Sequence, residues 1–294
     1  MSKQYKRSLS LSGIDTSTLS DARMRQMVRE LLDNKIHGLS FSPYIEGQGP
    51  GTILECTQIR QRLLTIEQHV EWIRTFSCTD GHELIPEIAH GRGLKTMVGV
   101  WLDDDLEHND LEVENAIAVA RAGHANIVAV GNEVLLRDEL SQEQLLSYMQ
   151  RVKAATDVPV AYVDAYFKFV DYPEVTAACD VVLANCYPFW EGCPVEHALL
   201  YMKEMYRRAC AAAKGKRVII SETGWPNIGT ATEGAVPSQQ NAIRYLLNTY
   251  QWAHEENIDV FYFSAFDESW KVGDEGDVGA YWGLWDKDGQ PKYT

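Results

Sequence analysis

Two glutamates in this chain follow short apolar runs, and that placement has a chemical cost. Glu133 comes after Ile127–Val130 and the pair Gly131-Asn132; Glu222 comes after Val218–Ile220 and Ser221. A carboxylate at the end of an apolar strand loses hydration, which is unfavourable unless a partner or a reaction uses the charge. Either residue alone reads equally well as half of a structural ion pair with a nearby Lys or Arg. Together they suit cleavage of a glycosidic bond, in which a protonated carboxyl donates to the leaving oxygen and an ionised carboxylate faces the anomeric carbon. Two carboxylates roughly 5–5.5 Å apart do not easily both ionise, so one is pushed up and becomes the acid. Once the sugar esterifies the other, that repulsion disappears, and the acid is suited to act as base in a second step.

Such a pair must be held by rigid elements, and the chain supplies a repeating one. Eight short apolar, β-branched runs end in polar or aromatic residues: Ile36–Tyr44, Ile73–Cys78, Thr96–Leu102, Ile127–Val134, Val158–Tyr166, Val181–Phe189, Val218–Trp225 and Val260–Phe266. Helical stretches lie between them. Leu111, Val113, Ala116, Ile117 and Ala120 fall mostly at three- and four-residue spacings, with Gly123 as a stop; Ser238 is a candidate N-cap for a helix running to Trp252. Eight strand–helix units in 294 residues predict an α/β fold, a single closed (β/α)8 TIM barrel over about 36–285, with a polar segment, 1–35, packed outside it. A doubly wound open sheet is the alternative, but no GxGxxG follows the first strand and no GxxxxGK[ST] occurs. In a barrel the chemistry sits at the C-terminal ends of the strands, so the strand list becomes a site list: Glu133 ends the fourth strand and Glu222 the seventh.

Composition narrows the partners. Asp and Glu number 42 against 27 Lys and Arg, a formal net charge of −15, which opposes a nucleic-acid backbone or an anionic membrane surface. Hydrophobic residues at 45% and charged residues at 23% are those of a globular chain with a sizeable core. The polar N-terminus has no secretory apolar run, and no stretch approaches the roughly 18 apolar residues of a membrane span. The compartment stays open. The six cysteines lack CxxC spacing and read as free thiols, with a Cys186–Cys193 bridge as the alternative. The eight histidines occur singly, without HxH or HExxH, so neither a metal nor a cofactor is implied.

The string from Val218 to Asn227, VIISETGWPN, closely resembles the signature of glycoside hydrolase family 17, the β-1,3-glucanase family. Asn132-Glu133 resembles the acid/base site of the wider clan A barrels, and the resemblance extends from about Gly38 to Trp285. It implies Glu133 as general acid/base, Glu222 as nucleophile with retention of configuration, and Asn132 as the partner of the sugar 2-OH. Tyr187 would donate to the nucleophile. Phe189 and Trp190 offer apolar faces for a glucose ring, with rim packing as the alternative for each, and Trp225 stands beside them in the signature. Glu268 and Lys271 resemble the family's Glu-x-x-Lys element, a plain salt bridge between them being compatible with either role. Tyr44 and Trp101 are weaker candidates at the first and third strand ends. Asp80, Asp103, Asp104, Asp105 and Asp164 read first as a solvated acidic rim.

Two departures matter. Plant-type members carry a further acid shortly before the final Trp-Gly-Leu; here an acid, Asp277, stands only at a shifted position and receives no role. The segment between the sixth and seventh strands is short, which points to the compact microbial branch. That branch includes glucanosyltransferases, and Trp190-Glu191 lies where an acceptor platform would be expected. A β-1,3-glucan-active enzyme that transfers as well as hydrolyses is therefore the leading expectation, with a strictly hydrolytic endo-glucanase or a non-catalytic glucan-binding barrel as alternatives. A metal-dependent hydrolase has no visible ligand set.

Overall fold

The computed structural model describes residues 13, 14, 18–273 and 275–294. Eight parallel strands pair in chain order and close on themselves: β1 Ile36–Ser40, β2 Val70–Arg74, β3 Lys95–Val100, β4 Ile127–Asn132, β5 Val160–Ala165, β6 Val182–Asn185, β7 Val218–Thr223 and β8 Val260–Tyr262. Closure comes from Gly38 and Leu39 of β1 pairing with Phe261 and Tyr262 of β8. Gly38 makes this seam possible, because a Cβ there would lie 2.5 Å from the Phe261 ring. The chain is thus a TIM barrel.

Alternate residues of each strand face two different cores. Trp72, Met97, Ile127, Ala129, Ala161, Val163, Leu183, Ile219 and Phe261 fill the barrel's centre, while their neighbours face the surrounding helices in a larger cluster. Strand β2 lies three residues earlier than the apolar run Ile73–Cys78 suggested. Glu71 and Arg74 obscure it in sequence: Glu71 is exposed, yet Arg74 is buried. Thr75 still donates its N–H to Met97 O at 3.0 Å, and the residues after it are held by side chains, Cys78 donating its N–H to buried Glu112 at 2.8 Å.

Two helices show how the local code works. Helix α1, Leu106–Arg121, begins before the apolar periodicity does, because Asp105 accepts the His108 N–H at 3.1 Å and so caps a polar first turn. It ends before Gly123, which is left-handed at φ +84°. Helix α2, Gln239–Glu256, starts after the Ser238 cap and runs four residues past Trp252 to left-handed Asn257. Of the N-terminal segment, residues 1–12 and 15–17 lie outside the described residues. An N-terminal helix, Asp21–Asp33, buries Met24, Val28 and Leu32 and packs against α2.

Candidate active site

The site depends on surplus residues in two strands. Along β4 and β5, Ala129 pairs with Ala161 but Asn132 pairs with Val163, so β4 carries one extra residue. Along β7, Ile220 pairs with Ala184 but Glu222 with Asn185, so Ser221 is extra. Strict alternation would send Asn132 and Glu222 toward the helices; the slips turn both inward, over the barrel mouth. Glu133 follows in a left-handed conformation, φ +58°, which keeps its carboxylate at the mouth as well.

Glu222 is buried and held at both oxygens. The guanidinium of Arg74 donates to Oε1, and the Tyr187 hydroxyl donates to Oε2 at 2.8 Å. Arg74 also donates to Asn132 Oδ1 at 2.8 Å, so one cation fixes a carboxylate on β7 and an amide on β4. A guanidinium fork is suited to this because its donors are planar and its charge is permanent. Glu222 therefore faces the mouth as an oriented, charge-balanced carboxylate.

Glu133 has a different environment. Burial, and then the charge of Glu222, push its carboxyl up to about 7, against the opposing pull of a hydrogen bond from Asn185. That bond, from Asn185 Nδ2 to Glu133 Oε1, is 2.8 Å, and Ser221 Oγ fixes the amide by donating to Asn185 Oδ1 at 2.8 Å. One carboxyl protonated near neutrality beside one paired carboxylate is the division of labour that glycoside cleavage needs.

Around them lies a cleft of about 1040 Å³. Asn132, Glu133, Tyr187, Trp190, Glu191, Glu222, Lys271 and Tyr44 all line it, as do Trp101, Asp80 and Asp103. Trp190 is 41% exposed and presents a free aromatic face. Tyr44 sits edge-on to Trp270 and His82. The Arg137 guanidinium lies 4.8 Å from the centre of the Trp101 ring.

Other sequence candidates lie elsewhere. Phe189 is fully buried, edge-on to Trp190, Trp225 and Trp282 at 5.2–5.4 Å, so it supports the wall without offering a face to sugar. Trp225 is likewise buried, its indole N–H donated to Val236 O. Glu268 sits behind the wall, accepting from the Trp270 indole at 3.2 Å and pairing with Lys271 at 3.6 Å. Asp164 is not a rim acid: it is fully buried on the helix-facing side of β5, beneath Tyr162. Asp105 caps a helix. All six cysteines are free, so Cys186 and Cys193 are not bridged.

Three functional neighbours escape the sequence reading. Arg74 lay in a misplaced strand, although a lone Arg ending the run VEWIR was a usable signal. Asn185 is the fixed partner of Glu133. Glu275 stands on the cleft wall 3.6 Å from Lys271 Nζ, whereas Asp277, the shifted acid, binds the Thr230 N–H and hydroxyl. Burial works to lower the Lys271 pKa, but Glu268, Glu275 and Glu222 outweigh it and hold the ammonium above its ordinary value. Among the described residues, no group of three His, Cys, Asp or Glu is placed to hold a metal ion.

Comparison with known proteins agrees with this geometry. Residues 38–283 match the BtgE/BtgC glycoside hydrolase domain. A glucan 1,3-beta-glucosidase of Arthroderma benhamiae is 28% identical over 255 residues, covering 78% of this chain and 81% of that protein. A Rhizomucor miehei beta-1,3-glucanosyltransferase, an active-site mutant in complex with laminaritriose, superposes with a TM-score of 0.78 at 26% identity, covering 88% of this chain and 96% of that one. An endo-laminarinase from Formosa shares the fold, with a TM-score of 0.73 at 20% identity, over 90% of this chain and 87% of that one. The chain belongs to the BtgE/BtgC glycoside hydrolases of glycoside hydrolase family 17.

Proposed function

We propose that this protein cleaves β-1,3-glucosidic bonds with retention of configuration and passes the glycosyl chain held on the enzyme to a sugar acceptor as well as to water. The observation that carries this reading is the pairing of Glu133, protonated near neutrality, with Glu222, held by Arg74 and Tyr187. Glu222 attacks the anomeric carbon as Glu133 gives its proton to the departing glycosidic oxygen, leaving a glycosyl ester on Glu222 and a carboxylate on Glu133. That carboxylate then takes a proton from water or from a sugar hydroxyl, which attacks the ester and frees Glu222. Asn132, fixed by Arg74, is placed to hold the sugar 2-OH as positive charge develops on the ring.

The substrate class is supported by the printed activities of the Arthroderma and Rhizomucor proteins. A neutral glucan is also not repelled by a chain of net charge −15, whereas nucleic acid would be. Transfer is supported by Trp190 and Glu191, which offer an aromatic face and a hydrogen-bonding edge on one wall for an acceptor. No helix among the described residues is long and apolar enough to cross a membrane. Incubation with laminari-oligosaccharides of one defined length tests the reading. Products longer than the starting chain, with new linkages assigned by NMR, support transfer; products that never exceed it at high substrate sink the transfer half. No cleavage at all sinks the whole.

A further inference from the structure

The backbone that carries Glu133 is unusual, and something must hold it. Glu133 is left-handed at φ +58°, two residues after Gly131 at +81°. A non-glycine residue in that region carries strain and persists only where its surroundings over-determine it. The turn that follows is closed by the Arg137 N–H on Glu133 O at 2.9 Å. Its middle residue, Leu135, is gripped from outside. The Leu135 N–H donates to the Tyr162 hydroxyl at 3.0 Å, and Leu135 O accepts from Lys168 Nζ at 3.0 Å.

Tyr162 is well placed for this task. Its ring lies against Gly131, where a Cβ would meet ring carbon Cε2 at 3.3 Å, so the turn from Gly131 to Leu135 wraps the tyrosine side chain. Because its oxygen accepts from Leu135, its proton goes to the buried Asp164 carboxylate, which also accepts the Ala165 N–H at 2.7 Å. This side of β5 faces the helices, so Tyr162 does not touch a sugar in the cleft. We propose that Tyr162 and Lys168 are positioning residues for Glu133: by fixing both main-chain polar groups of Leu135, they hold the acid/base carboxyl in line with the departing oxygen.

The inference rests on the catalytic reading above, and two substrates separate them. In Tyr162→Phe the ring keeps its contact with Gly131 and only the hydroxyl is lost. On laminari-oligosaccharides kcat should fall about tenfold or more with KM within about twofold, because a misplaced acid loses part of its contribution to leaving-group departure. From a 2,4-dinitrophenyl β-laminaribioside the dinitrophenolate departs without protonation, so kcat/KM on this substrate should stay within about twofold. Lys168→Met, acting on the other side of Leu135, should split the two substrates in the same sense and decides the matter if Tyr162→Phe does not fold. Equal losses on both substrates, or no loss on either in a variant with unchanged circular dichroism, overturn the proposal. An unsubstituted protein inactive on both substrates would instead remove the catalytic reading itself.

Discussion

The Arg74 guanidinium holds Glu222 with one nitrogen and Asn132 with the other, so a residue of β2 ties β7 to β4 across the barrel mouth. Removing one partner of a buried ion pair leaves an uncompensated charge, which costs about 3–5 kcal/mol. Arg74→Met should therefore melt well below the unsubstituted protein. Adding Glu222→Gln removes the stranded charge, so the double variant should be more stable than the sum of the single changes implies. Thermal melts of the two single variants and the double measure this coupling.

The two glutamates should fail differently. Glu222→Ala removes the proposed nucleophile and should lower kcat on any glucan by roughly 10⁴ or more. Glu133→Gln removes only the proposed proton donor and should cost roughly 10²–10⁴ on unactivated oligosaccharides. Azide should restore turnover of a dinitrophenyl glycoside by Glu133→Gln, with a β-glycosyl azide as product, and should do nothing of that kind for Glu222→Ala. Product identification by NMR distinguishes the cases.

Burial, and then Glu222, push Glu133 up to about 7, and two pH effects follow. Only the protonated acid donates, so kcat/KM on oligosaccharides should fall as pH rises through about 7. For stability, the folded chain keeps this proton after the unfolded chain has lost it at its ordinary value of about 4.3. The folded state then binds more protons, so this group's contribution declines between those two values as pH rises, and the loss is complete above about 7. With one side open to the cleft, the full loss is about 1–3 kcal/mol. Glu133→Gln should accordingly melt higher than the unsubstituted protein at pH 8, with the gap closing toward pH 4. Melts across that range give the answer.

Neighbouring aromatics in the sequence should part company. Phe189 is enclosed by three tryptophans, so Phe189→Ala should cost about 3–5 kcal/mol and show as a lowered melting temperature. Trp190 shows its face to the cleft, so Trp190→Ala should leave most of the stability in place and instead reduce the transfer product relative to hydrolysis. Melting curves and product ratios read the two outcomes separately.

The contrast between those two residues shows what a sequence reveals and what it hides. Strand and helix periods made the barrel legible, and a strand end following an apolar run located Glu133 and Glu222. Sequence adjacency does not say which aromatic faces the sugar, because Phe189 and Trp190 differ only in which side of a turn they occupy. Arg74 was hidden for a related reason: a cation inside an apolar run looks like the end of a strand, and its partners lie 58 and 148 residues away. Asp164 was misread as rim because its burial depends on Tyr162 and the helices behind β5. Contacts between distant strands are set by closure of the ring, and no local pattern encodes them.

A parallel ladder alternates sides with every residue, so the surplus positions in β4 and β7 act as phase shifts. Plain alternation with Ser221 still in place would re-phase the strand and swing Glu222 away from the mouth, whereas deleting Ser221 would leave Glu222 opposite Asn185 and facing inward, at the loss of the hydroxyl that fixes that amide. A change in residue count that no slip absorbs, more than a substitution, is then what moves these carboxylates between faces. Homologues could keep all the right letters and lose the chemistry through one further residue, upstream of either glutamate, that no slip absorbs.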